Sequence, residues 1–170
     1  YDVKPGVPAL DVLRGLLATS VTRLEADGLV SGARDMGYTP YKVLIVSSLV
    51  EKEGVTADMP KVARVLYNRL GAGQRLQLDS TVNYPLDLQA LRTNSDDRAK
   101  PGPYNSYAVA GLPPTPIAAP GKAAVEAALA PAEGPWQYFV RCQPDGASCF
   151  AATLDEHNRN VAQAVANGAF

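Results

Sequence analysis

Two glutamates close an apolar run in the first third of the chain. Residues 45–50, apolar except for two serines, are followed by Glu51 and Glu53, and about 100° of helical rotation per residue places Glu53 on the same arc as Val46 and Val50. Glu51 lies well round the helix from that arc. A carboxyl group that ends an apolar stripe is partly withdrawn from water, which raises its pKa and suits it to donate a proton near neutral pH. In the alternative interpretation, both glutamates simply end and solubilise the helix.

Cys142 and Cys149 form a second pair with possible chemistry. They flank turn-forming residues at 144–146 and follow a β-prone segment at 138–140, a pattern that predicts a hairpin with the two sulfur atoms close together. A disulfide across this hairpin would suit an oxidising compartment outside the cytosol, and two unpaired thiols are the alternative. With one histidine and two cysteines in the chain, we expect neither a zinc site nor another metal or organic cofactor.

The composition is that of a soluble globular domain. The 170 residues are 46% hydrophobic and 19% charged, with a net charge of −1 and no clustering of either sign. This distribution does not indicate a nucleic-acid-binding surface or a polybasic membrane patch, and no apolar run approaches the roughly 20 residues of a membrane span. The chain begins at Tyr1 without a methionine, which favours a fragment of a longer protein.

Apolar spacing predicts five helices that would position these groups. They cover residues 8–27, 39–54, 58–71, 120–131 and 153–168. Thr39, Asp58 and Thr153 are suitable N-caps, and Glu156 would complete a capping box with Thr153.

Residues 74–120 differ from the helical segments because proline, glycine, asparagine and tyrosine are dense there. We expect a long ordered loop region that serves as a binding surface, with residues 87–100 as a mobile flap. Together with the hairpin, this order of elements predicts an α+β fold: helices flank a small antiparallel β region, and Glu53 lies at the end of a buried helix.

Several short strings are more informative than the periodicity. They are Val50-Glu51-Lys52-Glu53; Lys61-Val62-Ala63 and Asn68-Arg69-Leu70; Arg75-Leu76-Gln77 with Asp79, Thr81, Val82 and Tyr84; Tyr104-Asn105-Ser106-Tyr107; Gly111-Leu112-Pro113-Pro114-Thr115-Pro116-Ile117 with Pro120-Gly121; Tyr138-Phe139-Val140; and Glu156-His157-Asn158. In this order and spacing they resemble the MltG (YceG-like) family of endolytic murein transglycosylases over roughly residues 39–165.

The resemblance implies cleavage of the β-1,4 bond between N-acetylmuramic acid and N-acetylglucosamine inside peptidoglycan strands. No water is added, because the 6-hydroxyl of the muramic acid attacks its own anomeric carbon and leaves a 1,6-anhydro end. The second glutamate of the Glu-Lys-Glu string, Glu53, is implied as the single acid/base. This agrees with the helical arc that singles out Glu53 rather than Glu51.

The resemblance also implies a set of glycan-binding residues. These are Gln77, Asp79, Thr81, Tyr104, Asn105, Tyr107, Leu112, Pro113, His157 and Asn158. Alternatives remain for several of them: the two tyrosines could pack in the core, and His157 could orient a loop. Asp79 could instead be a second catalytic carboxylate or cap the turn that begins at Ser80. One departure concerns Cys149, which precedes Phe150 where the family commonly has a histidine.

The resemblance implies one catalytic domain, with residues 1–38 as a helical lead-in and residues 39–170 as the core. Its parent would be membrane-anchored through a segment outside this chain, at the extracytoplasmic face of a bacterial cell membrane. There it would act on glycan strands and terminate them during wall growth. Peptidoglycan synthases are possible partners. Two alternatives are a lysozyme-type hydrolase that uses Glu53 and Asp79, and a non-catalytic module that binds the cell wall or serves as a scaffold.

Overall fold

The computed structural model of the protein describes residues 3–86 and 93–169. Within these ranges the chain forms eight helices and one two-stranded sheet. They are α1 (Ala9–Ala26), α2 (Leu29–Asp35), α3 (Pro40–Glu53), α4 (Met59–Gly71), α5 (Asp79–Leu86), α6 (Ser95–Ala99), α7 (Lys122–Leu129), β1 (Tyr138–Arg141), β2 (Ser148–Ala151) and α8 (Leu154–Ala166). The predicted α+β class is confirmed.

Helix α3 is the centre of the molecule. It begins where expected, because the Thr39 side chain accepts the backbone N–H of Lys42 at 3.3 Å and Pro40 occupies the first turn. Helices α2, α4, α5 and α7 all pack against it. The buried hydroxyls of Ser47 and Ser48 are satisfied by the backbone carbonyls of Val43 and Ile45, at 2.9 and 2.7 Å. The helix is therefore enclosed on most sides and presents Glu53 at its last residue.

Close packing around α3 depends on small residues in the neighbouring helices. Ala124 and Ala128 on α7 are fully buried, and short side chains let two helix backbones approach. Gly32 in α2 has the same role, because a Cβ there would lie only 2.8 Å from a methyl carbon of Leu129. The Tyr67 hydroxyl ties α4 to α7 by donating to the Ala128 carbonyl at 2.9 Å.

The predicted hairpin and its disulfide are both present. Strands β1 and β2 are antiparallel, with Val140 opposite Cys149, and Cys142 and Cys149 are bonded, with 5.6 Å between their Cα atoms. Helix α8 packs against both strands and begins with the expected capping box of Thr153 and Glu156. Asp58 stands at the N-cap position of α4, but it makes no side-chain cap there. Its Oδ2 accepts the N–H of Ser148 at 2.6 Å instead, which joins the hairpin to the turn after Glu53.

Three short helices were not predicted. Helix α2 contains Gly32 and follows Gly28, whose φ of 79° is left-handed, and glycines in the sequence favour an end to helical structure rather than a new helix. Helices α5 and α6 lie in the region expected to be irregular, and they are too short for a periodic apolar pattern to reveal them. Of the predicted flap, residues 87–92 lie outside the described residues, and α6 occupies Ser95–Ala99.

Helix α1 is at the edge of the fold. It matches the predicted span, but none of its residues is buried, and Leu10, Leu13 and Leu17 are 58, 56 and 67% exposed. Nowhere in residues 3–86 and 93–169 is there a helix that combines the length and the apolar character needed to cross a membrane.

Candidate active site

The carboxyl group of Glu53 is partly buried at the C-terminal end of α3. Its Oε1 accepts a short hydrogen bond from the Ser80 hydroxyl at the start of α5. Burial raises the pKa of Glu53 above its ordinary value, the negative charge of Asp79 adds to the rise, and the hydroxyl and backbone N–H of Ser80 oppose it. Because burial is the largest of these effects, Glu53 is a carboxyl group that holds its proton at a higher pH than a glutamate in water.

Asp79, next to Ser80, has the opposite character. Its Oδ1 accepts the Tyr107 hydroxyl at 2.6 Å and the Thr93 hydroxyl at 2.7 Å, and its Oδ2 accepts the Thr93 N–H at 3.2 Å. The Arg98 guanidinium lies 3.3 Å from Oδ1. Burial by itself would raise the pKa of Asp79, but the hydrogen bonds and the positive charge outweigh it and hold the pKa below its usual range. Asp79 is therefore a fixed anion at neutral pH.

Tyr107 donates to Asp79 as a neutral phenol. Burial and the hydrogen bond to the carboxylate raise the pKa of Tyr107, and the Arg98 guanidinium lies over its ring at 5.0 Å from the centroid. The predicted residues Asp79 and Tyr107 are thus in one cluster with Glu53 and Ser80, and much of their polar surface is engaged within the protein.

Thr81 and Asn105 hold the loop that carries Tyr107. Thr81 is fully buried, and its hydroxyl donates to the Leu78 carbonyl at 2.7 Å and lies 2.7 Å from the Ser106 hydroxyl. The Asn105 amide nitrogen donates to the carbonyls of Arg98 and Lys100 at 2.8 and 2.7 Å. The hydrogen-bonding groups of both residues therefore serve the scaffold.

Gln77 lies on the loop before α5 with a φ of 57°, the one positive φ at a non-glycine residue in the described part of the chain. A left-handed glutamine is uncommon and marks a locally strained backbone. Its Oε1 accepts from the buried guanidinium of Arg69 at 3.2 Å, and the same guanidinium donates to the Leu76 carbonyl at 2.7 Å. Gln77 itself is exposed.

His157 belongs to a second cluster, on the hairpin side. Its ring stacks on Tyr138 with centroids 5.3 Å apart, and the Arg69 guanidinium lies 5.0 Å from the centroid of Tyr138. Burial and the charge of Arg69 lower the pKa of His157, so the imidazole is neutral at neutral pH. Asn158 is exposed on the same helix. Through Arg69 this cluster connects to Gln77.

The remaining predicted residues lie in the segment before α7. The Tyr104 hydroxyl is 2.7 Å from that of Thr115, and its ring contacts Tyr84 with centroids 5.1 Å apart. Leu112 is partly buried against the core, and Pro113 is buried. For Tyr104, core packing and a role in binding both remain compatible with these contacts.

Sequence reasoning assigned no role to Ser80, Thr93 or Arg98. Ser80 had a usable signal, because a serine at a helix start offers donors to a carboxylate. Thr93 and Arg98 had no such signal, because they contact Asp79 only in the folded structure and are distant from it in the sequence.

Two open grooves, of about 440 and 420 Å³, lie away from Glu53. One is between Trp136, Phe150 and α8, and the other is beside Tyr38 and Tyr67.

Comparison with known proteins identifies the family of this chain. A family model described as the YceG-like family matches residues 1–163. An endolytic murein transglycosylase of Bacillus subtilis is 40% identical over 120 residues, which are 70% of this chain and 33% of that protein. One of Streptococcus pneumoniae is 30% identical over 176 residues, covering 97% of this chain and 31% of its own length. The chain thus spans about a third of the length of these relatives.

A solved structure gives the same result. The crystal structure of a yceG-like protein from Listeria monocytogenes superposes with a TM-score of 0.87 at 33% identity and covers 94% of this chain and 52% of that one. Since the family model spans nearly all of the sequence and the backbone arrangement agrees, the chain belongs to the YceG-like family.

Proposed function

We propose that this chain is the catalytic domain of an endolytic lytic transglycosylase that cuts peptidoglycan glycan strands. The observation that carries the proposal is the geometry around Ser80: Glu53, partly buried at the end of α3, accepts its hydroxyl, and Asp79, the residue before it, is held by Tyr107, Thr93 and Arg98. The pKa of Glu53 is raised and that of Asp79 is lowered. Such a division is typical of sites that need one carboxyl group as a proton donor near neutral pH. The relatives named endolytic murein transglycosylase support the choice of substrate.

The proposed reaction needs one carboxyl group in two roles. Glu53 donates its proton to the glycosidic oxygen as the bond from that oxygen to the anomeric carbon of N-acetylmuramic acid breaks. The 6-hydroxyl oxygen of the same sugar then bonds to the anomeric carbon, and its proton passes to Glu53. The products are a 1,6-anhydro end and a strand with a free 4-hydroxyl, and Glu53 is protonated again. All atoms come from the substrate, so no water or cofactor enters.

Asp79 bears on the choice between this reaction and hydrolysis. A retaining or inverting hydrolase needs a second carboxylate that is free to act as nucleophile or as base for water. Both oxygens of Asp79 accept hydrogen bonds from Tyr107 or Thr93, and Arg98 compensates its charge. These contacts favour a structural anion over a nucleophile and so support the single-glutamate mechanism.

Glycan binding is proposed for the predicted residues that reach the surface. Gln77 and Asn158 are exposed, and Tyr104, Tyr107, Leu112 and His157 are partly exposed, so these side chains have surface with which to touch a sugar. Thr81 and Asn105 would contribute by holding the loop. Action outside the cytoplasm, on the cell wall, fits both the relatives' names and the Cys142–Cys149 disulfide. A membrane anchor and synthase partners would belong to parts of the protein outside this chain.

Mass spectrometry of products from purified, uncrosslinked glycan strands tests the proposal. The wild-type protein is expected to release strands ending in 1,6-anhydro-muramic acid, and Glu53→Gln to release none. Glu51→Gln is the matched control, because it changes a carboxylate two residues away on the same helix. Products with ordinary reducing ends would support the hydrolase, and strand binding without any cleavage by the wild type would support the non-catalytic module.

A further inference from the structure

Ser80 is the residue that touches the reacting carboxyl group directly. Its hydroxyl donates to Oε1 of Glu53, and its backbone N–H is near enough to that carboxyl group to lower its pKa. No other side chain in the described ranges donates a hydrogen bond to the Glu53 carboxyl group. The two glutamate oxygens are consequently unequal: the Ser80 hydroxyl holds Oε1, and no side chain of the described residues donates to Oε2.

Ser80 is itself held in place by its neighbours. On one side, Asp79 is anchored by Tyr107, Thr93 and Arg98, and on the other, Thr81 is fully buried and bonded to the Leu78 carbonyl. A donor between two immobilised residues is pre-organised, so little reorganisation is needed when the charge on Glu53 changes.

A single carboxyl group that acts first as acid and then as base must be stable in both forms. Burial and the nearby Asp79 favour the protonated form, whereas the two donors of Ser80, at the first turn of α5, favour the carboxylate. The carboxylate is the form that exists between the departure of the leaving group and the uptake of the second proton.

We propose that Ser80 is a positioning residue for this reaction: by holding Oε1 of Glu53, it makes Oε2 the oxygen that gives its proton to the glycosidic oxygen and later accepts the proton of the attacking hydroxyl. The inference rests on the proposed function and adds a residue that neither the sequence pattern nor the family comparison assigns.

The test compares Ser80→Ala with Ser80→Thr, in which the hydroxyl is retained. In Ser80→Ala we expect kcat to fall about 10- to 100-fold, the scale of losing orientation at a reacting group, with KM changed less than about twofold because the hydroxyl does not bind the glycan. The alkaline limb of the kcat–pH profile should move to higher pH, because removal of a donor to the carboxylate raises its pKa further. Ser80→Thr should keep both kcat and the position of the alkaline limb close to those of the wild type.

A titration that does not depend on activity separates this inference from the proposed function. The carboxyl carbon of Glu53, followed by 13C NMR, should titrate at higher pH in Ser80→Ala than in the wild type. An unchanged titration and an unchanged kcat in Ser80→Ala would overturn the positioning role, as would equal losses in the alanine and threonine variants. Absence of anhydro products from the wild type would instead overturn the proposed function, whatever the titration shows.

Discussion

Glu53 and Asp79 are two carboxylates next to the same residue, Ser80: Glu53 accepts its hydroxyl, and Asp79 precedes it in the chain. Glu53 ends a buried helix and has Ser80 as its partner, whereas Asp79 begins a short helix and is surrounded by Tyr107, Thr93 and Arg98. The pKa of the first is raised and that of the second is lowered. Both are partly buried, so the difference arises from the number of donors and from the neighbouring positive charge.

This difference shows how one small region can contain an acid and a permanent anion. Desolvation acts on both groups in the same direction, and only hydrogen bonds and counter-charges separate them. The anion also acts on the acid, because the charge of Asp79 contributes to the raised pKa of Glu53. Removing the carboxyl group of Glu53 should therefore raise the stability of the fold at neutral pH, whereas removing that of Asp79 should lower it.

The largest expected effect is the loss of activity in Glu53→Gln. An amide cannot donate a carboxyl proton, and general acid–base catalysis contributes about 10²- to 10⁴-fold, so strand cleavage should fall by at least about 10²-fold. Glu51 accepts the N–H of Gly121 at 2.9 Å, and Glu51→Gln keeps an oxygen for that bond, so its rate should stay within about twofold of wild type. The release rate of anhydro ends measures both. Equal losses would remove the distinction between the two glutamates.

Asp79→Asn should destabilise the fold by about 1.5–3 kcal/mol at pH 7, the range for hydrogen bonds to a charged group. Because the pKa of Asp79 is lowered on folding, its contribution is present above the unfolded value of 3.8 and is lost as pH falls through the folded pKa. The difference in the free energy of unfolding between the variant and the wild type, measured by urea unfolding at several pH values, should disappear at acidic pH. A gap that is independent of pH would contradict the charged role.

The same variant gives a kinetic contrast with Ser80→Ala. Without the charge of Asp79 the pKa of Glu53 should fall, so the alkaline limb of the kcat–pH profile should move to lower pH, opposite to the Ser80→Ala shift. Limbs that move in the same direction would show that both substitutions act only by loosening α5.

Glu53→Gln should stabilise the protein at neutral pH, although it abolishes activity. The folded pKa of Glu53 lies above its unfolded value of 4.5, so ionisation of the unfolded chain lowers wild-type stability as pH rises through that window. The amide has no such penalty. Thermal melts from pH 4 to pH 8 should show the variant gaining over wild type as pH rises. A variant less stable than wild type at pH 7 would contradict the raised pKa.

Tyr107→Phe should have the smallest effect, about 1.5 kcal/mol of stability, the low end of the range for a hydrogen bond to a charged group. Asp79 retains Thr93 and Arg98, so its pKa should rise but remain near or below the ordinary value. Carboxyl 13C titration of Asp79 measures this shift directly. A loss of stability as large as that of Asp79→Asn would indicate that Tyr107 stabilises its loop and not only the charge on Asp79.

Several features were predictable from local patterns. The caps at Thr39 and Thr153, the glutamate on the apolar arc of α3 and the bonded cysteines all depend on residues within a few positions of one another. Helix α2 was missed because Gly32 breaks the local pattern, yet a glycine is required there by the nearness of Leu129, 97 positions further on.

The sequence by itself determined the family, the main helices and the candidate acid, because strings, caps and periodicity are local properties. Only the tertiary structure decided the role of Asp79, whose partners Thr93, Arg98 and Tyr107 lie 14, 19 and 28 residues away along the chain. It likewise placed Ser80 on Glu53 across 27 residues. Protonation of a carboxyl group depends on burial and on donors within a few ångströms, and those distances arise only when α3, α5 and the Tyr107 loop pack together.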